Sequence, residues 1–264
     1  MYRFIAYTLG GIAVLTISVF AGVALYLYKL SQDLPDYSAL ANYQPPITTR
    51  VYANDGSLIA EYARERRLFV PIESIPRRVI DAFLSAEDKD FYSHPGVDLN
   101  GVMRAVITNS QNYMSGANRR PEGASTITQQ VAKNFLLTSE ATLERKIKEW
   151  MLAFRLEDAY SKDKILELYL NEIFLGSGSY GVAAAAYNYF DKSLDQLTIA
   201  ETAYLAGLPK APSNYHPIRQ ARKAIERRNW VIERMAENQF IGDEDAKKAV
   251  AENLVPHFRP AGAQ

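Results

Sequence analysis

Residues 77–88 have the sequence RRVIDAFLSAED, and its apolar spacing sets the expected fold. Ile80, Phe83 and Glu87 follow one another at three- and four-residue intervals, which places them on one face of a helix. The same spacing recurs in later alanine- and leucine-rich segments, which Gly, Pro and Asn clusters separate. A mainly α fold is therefore predicted, with helices near residues 77–88, 98–113, 125–137, 141–160, 162–174, 180–189, 196–207, 217–239 and 243–252.

A short β region is predicted before these helices. Residues 48–53 and 58–62 flank Asn54-Asp55-Gly56, a turn sequence that favours a β-hairpin. Residues 68–72 are predicted to add a strand.

The N-terminal segment has the length and composition of a membrane anchor. Residues 4–28 contain no charged side chain, and a helix of that length rises about 37 Å, enough to cross a hydrocarbon core of about 30 Å. A cleaved signal peptide is the alternative, although its apolar region is usually shorter, about 7–15 residues. Arg3 precedes the span and Asp33 and Asp36 follow Lys29, so the positive-inside rule places the N-terminus in the cytoplasm.

The expected organisation is an anchor at residues 1–29, a tether at 30–47, a main domain at 48–250 and the start of a linker at 251–264. Tether and linker contain prolines and lack a sustained period. The formal net charge is zero, which argues against nucleic-acid binding. The absence of cysteine excludes a disulfide scaffold and a thiolate metal site.

Glu87 is the first candidate for chemistry. Its place on the apolar stripe predicts lost hydration, which raises the pKa of a carboxylate and suits a general base. The alternative is an exposed acid at the helix end, or one paired with Lys89. Asp88 and His94 would serve catalysis or hold the following turn.

A second candidate segment begins at Gly123. Gly123 and Ser125 suit a capped helix start, and Thr126, Gln130 and Lys133 then align on a polar stripe. With the free N–H groups of the first turn, this stripe could bind an anionic, oxygen-rich group. The alternative is a solvated helix face.

A third segment places Arg145 and Lys146 four and three residues before Glu149. The alternative is a surface ion pair worth about 0.2–0.5 kcal/mol. However, Glu149 aligns with Leu152 and Leu156, so we expect a partly buried glutamate that stays charged and orients those cations, or a metal, on a phosphate. Two carboxylates in different environments are typical of glycosyl transfer or cleavage, and the basic cluster indicates a diphosphate leaving group.

Together these segments resemble the peptidoglycan glycosyltransferase family, the N-terminal domain of class A penicillin-binding proteins, and most closely its penicillin-binding protein 1A branch. The family patterns E-D-x-x-F-x-x-H-x-G, G-x-S-T-x-T-Q-Q and R-K-x-x-E are matched at residues 87–96, 123–130 and 145–149. A fourth is matched at 164–171, and a fifth more loosely around Arg227-Arg228 and Met235. The resemblance covers residues 48 to 240, and five ordered motifs are far more specific than one.

The resemblance implies a lysozyme-like helical fold and an inverting transfer of undecaprenyl-diphosphate-linked glycan to the 4-hydroxyl of lipid II, forming β-1,4 bonds. It implies that Glu87 is the general base. Glu149 would assist at the diphosphate, directly or through a divalent cation (Mg²⁺ or Mn²⁺), and no organic cofactor is implied. Lys133, Arg145 and Lys146 would stabilise the leaving diphosphate. The other implied substrate-binding residues are Asp88, Phe91, His94, Ser125, Thr126, Gln130, Asn134, Lys210 and Ser213.

The resemblance also implies partners and a location. The partners are lipid II, the lipid-linked glycan, the bilayer and other cell-wall synthesis proteins, and no nucleic acid. The location is the bacterial inner (cytoplasmic) membrane, with a single span and the domain on the periplasmic face. The donor mimic moenomycin would inhibit such an enzyme.

No transpeptidase activity is expected. Ser161-Lys162-Asp163-Lys164 has the letters S-x-x-K, but it overlaps the fourth motif, and no K-T-G or K-S-G tripeptide occurs. We therefore expect a piece of a bifunctional protein rather than a natural monofunctional enzyme. The rival functions are a lysozyme-like or lytic glycan-cleaving enzyme and a non-catalytic cell-wall scaffold.

The helix predicted at 98–113 is apolar with few charges, which is typical of a core helix or of one that dips into the bilayer, and we expect a mixture of the two. The polar segment 109–123 is predicted to be a loop. A solvated connector is the expected role for most of it, and a cover over the donor site is the functional alternative.

Overall fold

The computed structural model describes residues 2–43, 49–52, 58–62, 66–116, 123–138, 140 and 142–258. Within them the mainly α prediction is confirmed, and each predicted helix is present with ends that differ by a few residues. The similarity to lysozyme stays a prediction. The helices are α1 (Tyr2–Gln32), α2 (Arg77–Glu87), α3 (Leu99–Met114), α4 (Ile127–Leu136), α5 (Leu143–Ala159), α6 (Lys162–Glu172), α7 (Val182–Phe190), α8 (Ile199–Gly207), α9 (Ala221–Glu237) and α10 (Asp243–Ala251).

Two small strand pairs accompany the helices. β1 (Thr49–Tyr52) pairs antiparallel with β2 (Leu58–Tyr62), and the turn predicted at 54–56 lies outside the described residues. β3 (Arg66–Arg67) pairs in parallel with β4 (Ser179–Tyr180).

The strand predicted at residues 68–72 is wrong. The backbone of Val70 is bonded instead to the side chain of Asn171, which accepts from Val70 N and donates to Val70 O, both at 2.8 Å. Ile72 N donates to Glu167 Oε2 at 3.0 Å. Side chains of α6 thus satisfy backbone groups that a neighbouring strand would otherwise satisfy. The fourth motif therefore fastens this segment to the domain.

The core forms around α8, which is buried from Ala200 to Gly207 and packs against α2 and α9. Its small residues let the neighbouring helices come close. A Cβ at Gly207 would lie only 2.9 Å from Arg227 Cγ. On the other side, α4 packs against α5 and α6. The ends of α2, α4 and α8 are thereby brought into one region.

α1 is the one helix among the described residues that is long and apolar enough to cross a membrane. The most apolar 18 residues of the segment Leu9–Gln32 have a mean hydropathy of 2.1, and none of them is buried in the protein. Its last turn differs, because Leu30 is buried and Ser31 O accepts a hydrogen bond from Arg155 Nη2 at 3.3 Å. The helix is thus fastened to the domain where it ends.

Residues 30–43, the described part of the predicted tether, pack on the domain. Leu40 is buried in the core, Tyr160 Oη donates to Tyr37 O at 2.8 Å, and Tyr43 Oη donates to Glu172 Oε2 at 2.5 Å. The predicted linker also packs on the domain as far as Phe258, whose ring lies 5.2 Å from that of Tyr189. Neither segment has a helical or strand period, so pattern alone did not reveal these contacts.

α3 is not a core helix, since Ala105 is its one buried residue. Six large hydrophobic side chains on it are each more than half exposed: Leu99, Met103, Val106, Ile107, Tyr113 and Met114. The helix continues through Met114, so the loop predicted from residue 109 begins later than expected. Residues 117–122 of that loop lie outside the described residues.

Candidate active site

Glu87 is the last residue of α2, one turn after the fully buried Phe83. Gln130 Nε2, on α4, donates a hydrogen bond to Glu87 Oε2 at 2.9 Å. Burial raises the pKa of Glu87 above its ordinary value of 4.5, against the opposing effects of Gln130, Arg227 and Lys210. The direction is the one that its place on the apolar stripe predicts.

Arg227 is a neighbour of Glu87 to which the sequence analysis gave no role. Its guanidinium lies 4.0 Å above the ring of Trp230, and its Nε donates to Gly207 O at 3.3 Å. Burial lowers the pKa of Arg227, and the charge of Glu87 acts in the opposite direction. Arg227 precedes the buried Val231 by four residues, and this apolar alignment was the signal that would have placed it inward.

Asp88 and His94 form a buried pair behind Glu87. His94 Nε2 lies 2.9 Å from Asp88 Oδ1, while Gly96 N donates to His94 Nδ1 at 3.2 Å. Because Nδ1 accepts, the neutral ring carries its proton on Nε2 and donates it to Asp88. Asp88 Oδ2 also accepts from Ile127 N at 2.9 Å. This pair joins the end of α2 to the start of α4.

Thr126, which the resemblance implies as a substrate-binding residue, is not exposed to an open cleft. It is buried, its hydroxyl donates to Gly96 O at 2.5 Å, and it forms a capping box with Gln129. Thr126 therefore caps α4, and Gly123 and Ser125 do not. At Gly96, with φ +96°, a Cβ would meet Ala153 O at 2.8 Å, so only glycine lets this loop lie against α5.

Phe91 and His94 support the loop from behind and are not exposed in a cleft. Phe91 is fully buried, and Lys162 Nζ lies 4.4 Å above its ring. Lys162 also donates to His94 O at 2.7 Å. The neighbouring Ser161 caps α6 by accepting from Lys164 N at 3.2 Å, which is a structural use of the S-x-x-K letters.

Glu149 is buried, so a surface ion pair does not describe it. Arg145 Nη1 donates to its Oε2 at 2.8 Å, and Lys146 Nζ contacts its Oε1. Lys146 Nζ also donates to Ser125 Oγ at 3.1 Å. Glu149 therefore holds two cations at the N-terminal end of α4.

α4 connects the two carboxylates. Gln130 in its first turns reaches Glu87, and Ser125 just before the helix reaches the Lys146–Glu149 pair. Lys133 and Asn134 are exposed further along α4. Lys210 and Ser213 are exposed in the segment after α8, and Lys210 is close enough to lower the pKa of Glu87.

The described residues do not suit a metal site made by protein alone. They contain no group of three or more His, Asp or Glu side chains that could hold an ion. Both oxygens of Glu149 are already contacted by cations. This arrangement does not fit Glu149 as a metal ligand.

Comparison with known proteins gives the family. A family model described as Transglycosylase matches residues 55–236. The chain is 54% identical to Penicillin-binding protein 1A of Rickettsia felis over 97% of this chain and 32% of that protein. It is 47% identical to Penicillin-binding protein 1A of Escherichia coli over 87% of this chain and 27% of that protein.

A crystal structure of Penicillin-Binding Protein 1A from Haemophilus influenzae matches at 30% identity and a TM-score of 0.49, covering 83% of this chain and 22% of that one. Among the curated relatives, the chain spans about a third of the length of the Rickettsia felis protein. The match to the family model and the high identity over nearly the whole chain together mean that this chain belongs to the transglycosylase family.

Proposed function

We propose that this chain polymerises the glycan strands of peptidoglycan from lipid II. The observation that carries the proposal is the pairing of two unlike carboxylates through α4. Glu87 is held by the neutral Gln130, whereas Glu149 is held by two cations. Membership of the transglycosylase family and the Penicillin-binding protein 1A relatives support the substrate class.

Glu87 acts as the general base. Burial raises its pKa, which makes it a stronger base than an exposed glutamate. It takes the proton from the 4-hydroxyl of lipid II as that oxygen attacks the anomeric carbon of the growing glycan. The carbon inverts, a β-1,4 bond forms, and the undecaprenyl diphosphate leaves.

The leaving diphosphate is met by fixed positive charge. Arg145 and Lys146 are held by Glu149, and Lys133 is exposed on α4 without an ion-pair partner in the described part of the chain. Arg145 and Lys146 thus lie beside the start of α4, where Lys146 Nζ also donates to Ser125 Oγ. Donors fixed before the reaction stabilise charge that develops during it.

Two surfaces suit a substrate that stays in a bilayer. α1 would cross the membrane, with its N-terminus in the cytoplasm and the domain on the periplasmic face, as Arg3 and the following aspartates indicate. The exposed apolar residues of α3 would lie among lipid head groups and acyl chains. Inhibition by moenomycin, and other cell-wall synthesis proteins as partners, belong to the same proposal.

A divalent cation is a further part of the proposal. Since the described side chains supply no cluster for it, its ligands would come mainly from the substrate diphosphate. Polymerisation in EDTA, followed by addition of Mg²⁺ or Mn²⁺, tests this dependence.

The direct test is incubation of the detergent-solubilised chain with lipid II, comparing wild type, Glu87→Gln and the surface variant Glu226→Gln. We expect long lipid-linked strands from wild type and Glu226→Gln and none from Glu87→Gln. Short soluble fragments would support a lytic enzyme instead. Undiminished polymerisation by Glu87→Gln would remove Glu87 as the base, and no product from any chain would support a scaffold.

A further inference from the structure

The hydroxyl of Tyr169 is buried without a hydrogen-bond partner in the described part of the chain. Tyr169 lies on α6 and is 1% exposed. A hydroxyl in that position has lost its hydrogen bonds to water, and no hydrogen bond within the described part of the protein replaces them. The other fully buried tyrosines differ: Tyr189 Oη donates to Leu175 O at 2.9 Å, and Tyr204 Oη donates to Tyr215 O at 3.0 Å.

Tyr169 lies beneath the carboxyl end of α2. Its ring packs edge-on against Phe83, with ring centroids 6.3 Å apart. Phe83 is one helical turn before Glu87, on the same face. Burial raises the pKa of Tyr169 well above its ordinary value, and the charges of Glu87 and Asp88 add to that effect.

Only one of those carboxylates has an oxygen to spare. Asp88 Oδ1 and Oδ2 are both within hydrogen-bond distance of His94 Nε2, and Oδ2 also accepts from Ile127 N. Glu87 accepts one hydrogen bond, from Gln130, through Oε2. Among the described residues, nothing donates to Glu87 Oε1. This oxygen can therefore accept a hydrogen bond from a donor close to it.

We propose that Tyr169 is a positioning residue for Glu87, whose hydroxyl donates a hydrogen bond, directly or through one water, to the charged Glu87 carboxylate. The contact stabilises the proton-accepting form of the base and fixes which oxygen faces the acceptor hydroxyl. Catalytic hydrogen bonds are often long or poorly aligned in the free enzyme and shorten when the substrate binds. This inference rests on the proposed function, in which Glu87 is the base.

The test is the pH dependence of kcat/KM for lipid II polymerisation by wild type, Tyr169→Phe and Tyr189→Phe. A donor to the charged form lowers the pKa of its acceptor, so removing it moves the acidic limb to higher pH. We expect Tyr169→Phe to move that limb up by about one pH unit. On the acidic side of the profile, kcat/KM should then be about tenfold lower than in wild type. Tyr189→Phe should leave the limb unmoved, and an unmoved limb in Tyr169→Phe would overturn the proposal.

Thermal unfolding separates this role from a structural one. Tyr169→Phe removes a buried hydroxyl that has no partner in the free protein, so at acid pH, with Glu87 neutral, its Tm should equal or exceed that of wild type. Tyr189→Phe loses a formed hydrogen bond and should unfold at lower temperature. A loss of Tm in Tyr169→Phe as large as in Tyr189→Phe at that pH would overturn the proposal.

The two hypotheses fail differently. Wild type that makes no glycan refutes the proposed function. The link between the two residues is then still measured by the Tm of Tyr169→Phe relative to wild type as pH rises through the titration of Glu87. The Tm of Tyr169→Phe relative to wild type should fall as pH rises. In a Glu87→Gln background the corresponding difference should stay constant. A relative Tm that is constant with Glu87 present would overturn the inference alone.

Discussion

Gln130 Nε2 donates a hydrogen bond of 2.9 Å to Glu87 Oε2 and so joins α4 to the last residue of α2. The amide stabilises the charged carboxylate, while burial stabilises the neutral one. Burial has the larger effect, so the pKa of Glu87 is raised. The site therefore holds a base that is stronger than an exposed glutamate and still able to ionise.

Glu87→Gln should abolish polymerisation and raise stability at neutral pH. A positioned general base contributes about 10²- to 10⁴-fold in rate. The folded-state pKa of Glu87 is raised, so its stabilising contribution is present below its unfolded pKa and is lost as pH rises through the folded pKa. The Tm of Glu87→Gln should therefore exceed that of wild type at pH 7, and the gap should close at acid pH. A gap that is independent of pH would contradict this.

Gln130→Leu should move the acidic limb of kcat/KM to higher pH. The amide donates to the charged form of Glu87, and hydrogen bonds to charged groups contribute about 1.5–3 kcal/mol. Removal of the bond therefore raises the pKa of Glu87, and a loss of about tenfold is expected on the acidic side. Glu226→Gln, at an exposed position to which no site role is assigned, is the control and should leave the limb unmoved.

Arg145 and Glu149 should be strongly coupled in stability. Arg145→Met leaves Glu149 with Lys146 alone, and loss of one partner of a buried pair typically costs about 3–5 kcal/mol. The retained lysine should reduce that to about 2–3 kcal/mol. Urea unfolding of Arg145→Met, Glu149→Gln and the double variant measures the coupling.

Arg222 and Glu226 supply the matched control for that cycle. They are also four residues apart on a helix, but their side chains are 88% and 65% exposed. Exposed pairs of this kind contribute about 0.3–0.5 kcal/mol. Equal coupling energies in the two pairs would contradict the buried role of Glu149.

Asp88→Asn should lower stability together with activity. Asp88 accepts from both His94 Nε2 and Ile127 N, and asparagine has one acceptor oxygen for these two donors. An unpaired buried donor costs about 1–3 kcal/mol. Unfolding and rate should therefore be measured on the same sample. A variant with unchanged Tm and strongly reduced kcat would show that Asp88 touches the reacting groups instead.

The sequence predicted what depends on neighbours in the chain. Three- and four-residue spacing located the helices and placed Glu87 on a buried face, and a four-residue interval paired Arg145 with Glu149. Contacts between distant segments were missed. The backbone of Val70 is bonded to a side chain 101 residues later, and Arg227 approaches Glu87 from another helix. Such contacts leave no local period, so only the folded chain reveals them.

The exposed apolar face of α3 should matter only when the substrate is in a bilayer. Val106 and Ile107 are 60% and 54% exposed, and serine at both positions would reduce the apolar area available to lipid. Because α1 still anchors the chain, we expect kcat/KM to fall by about three- to tenfold, from the transfer energy of partly immersed side chains. The measurement compares lipid II in vesicles with lipid II in detergent, where little change is expected. Val250→Ser with Val255→Ser, at exposed positions elsewhere, is the control. An equal loss in vesicles and detergent would mean that α3 acts through the fold of the cleft and not through the membrane.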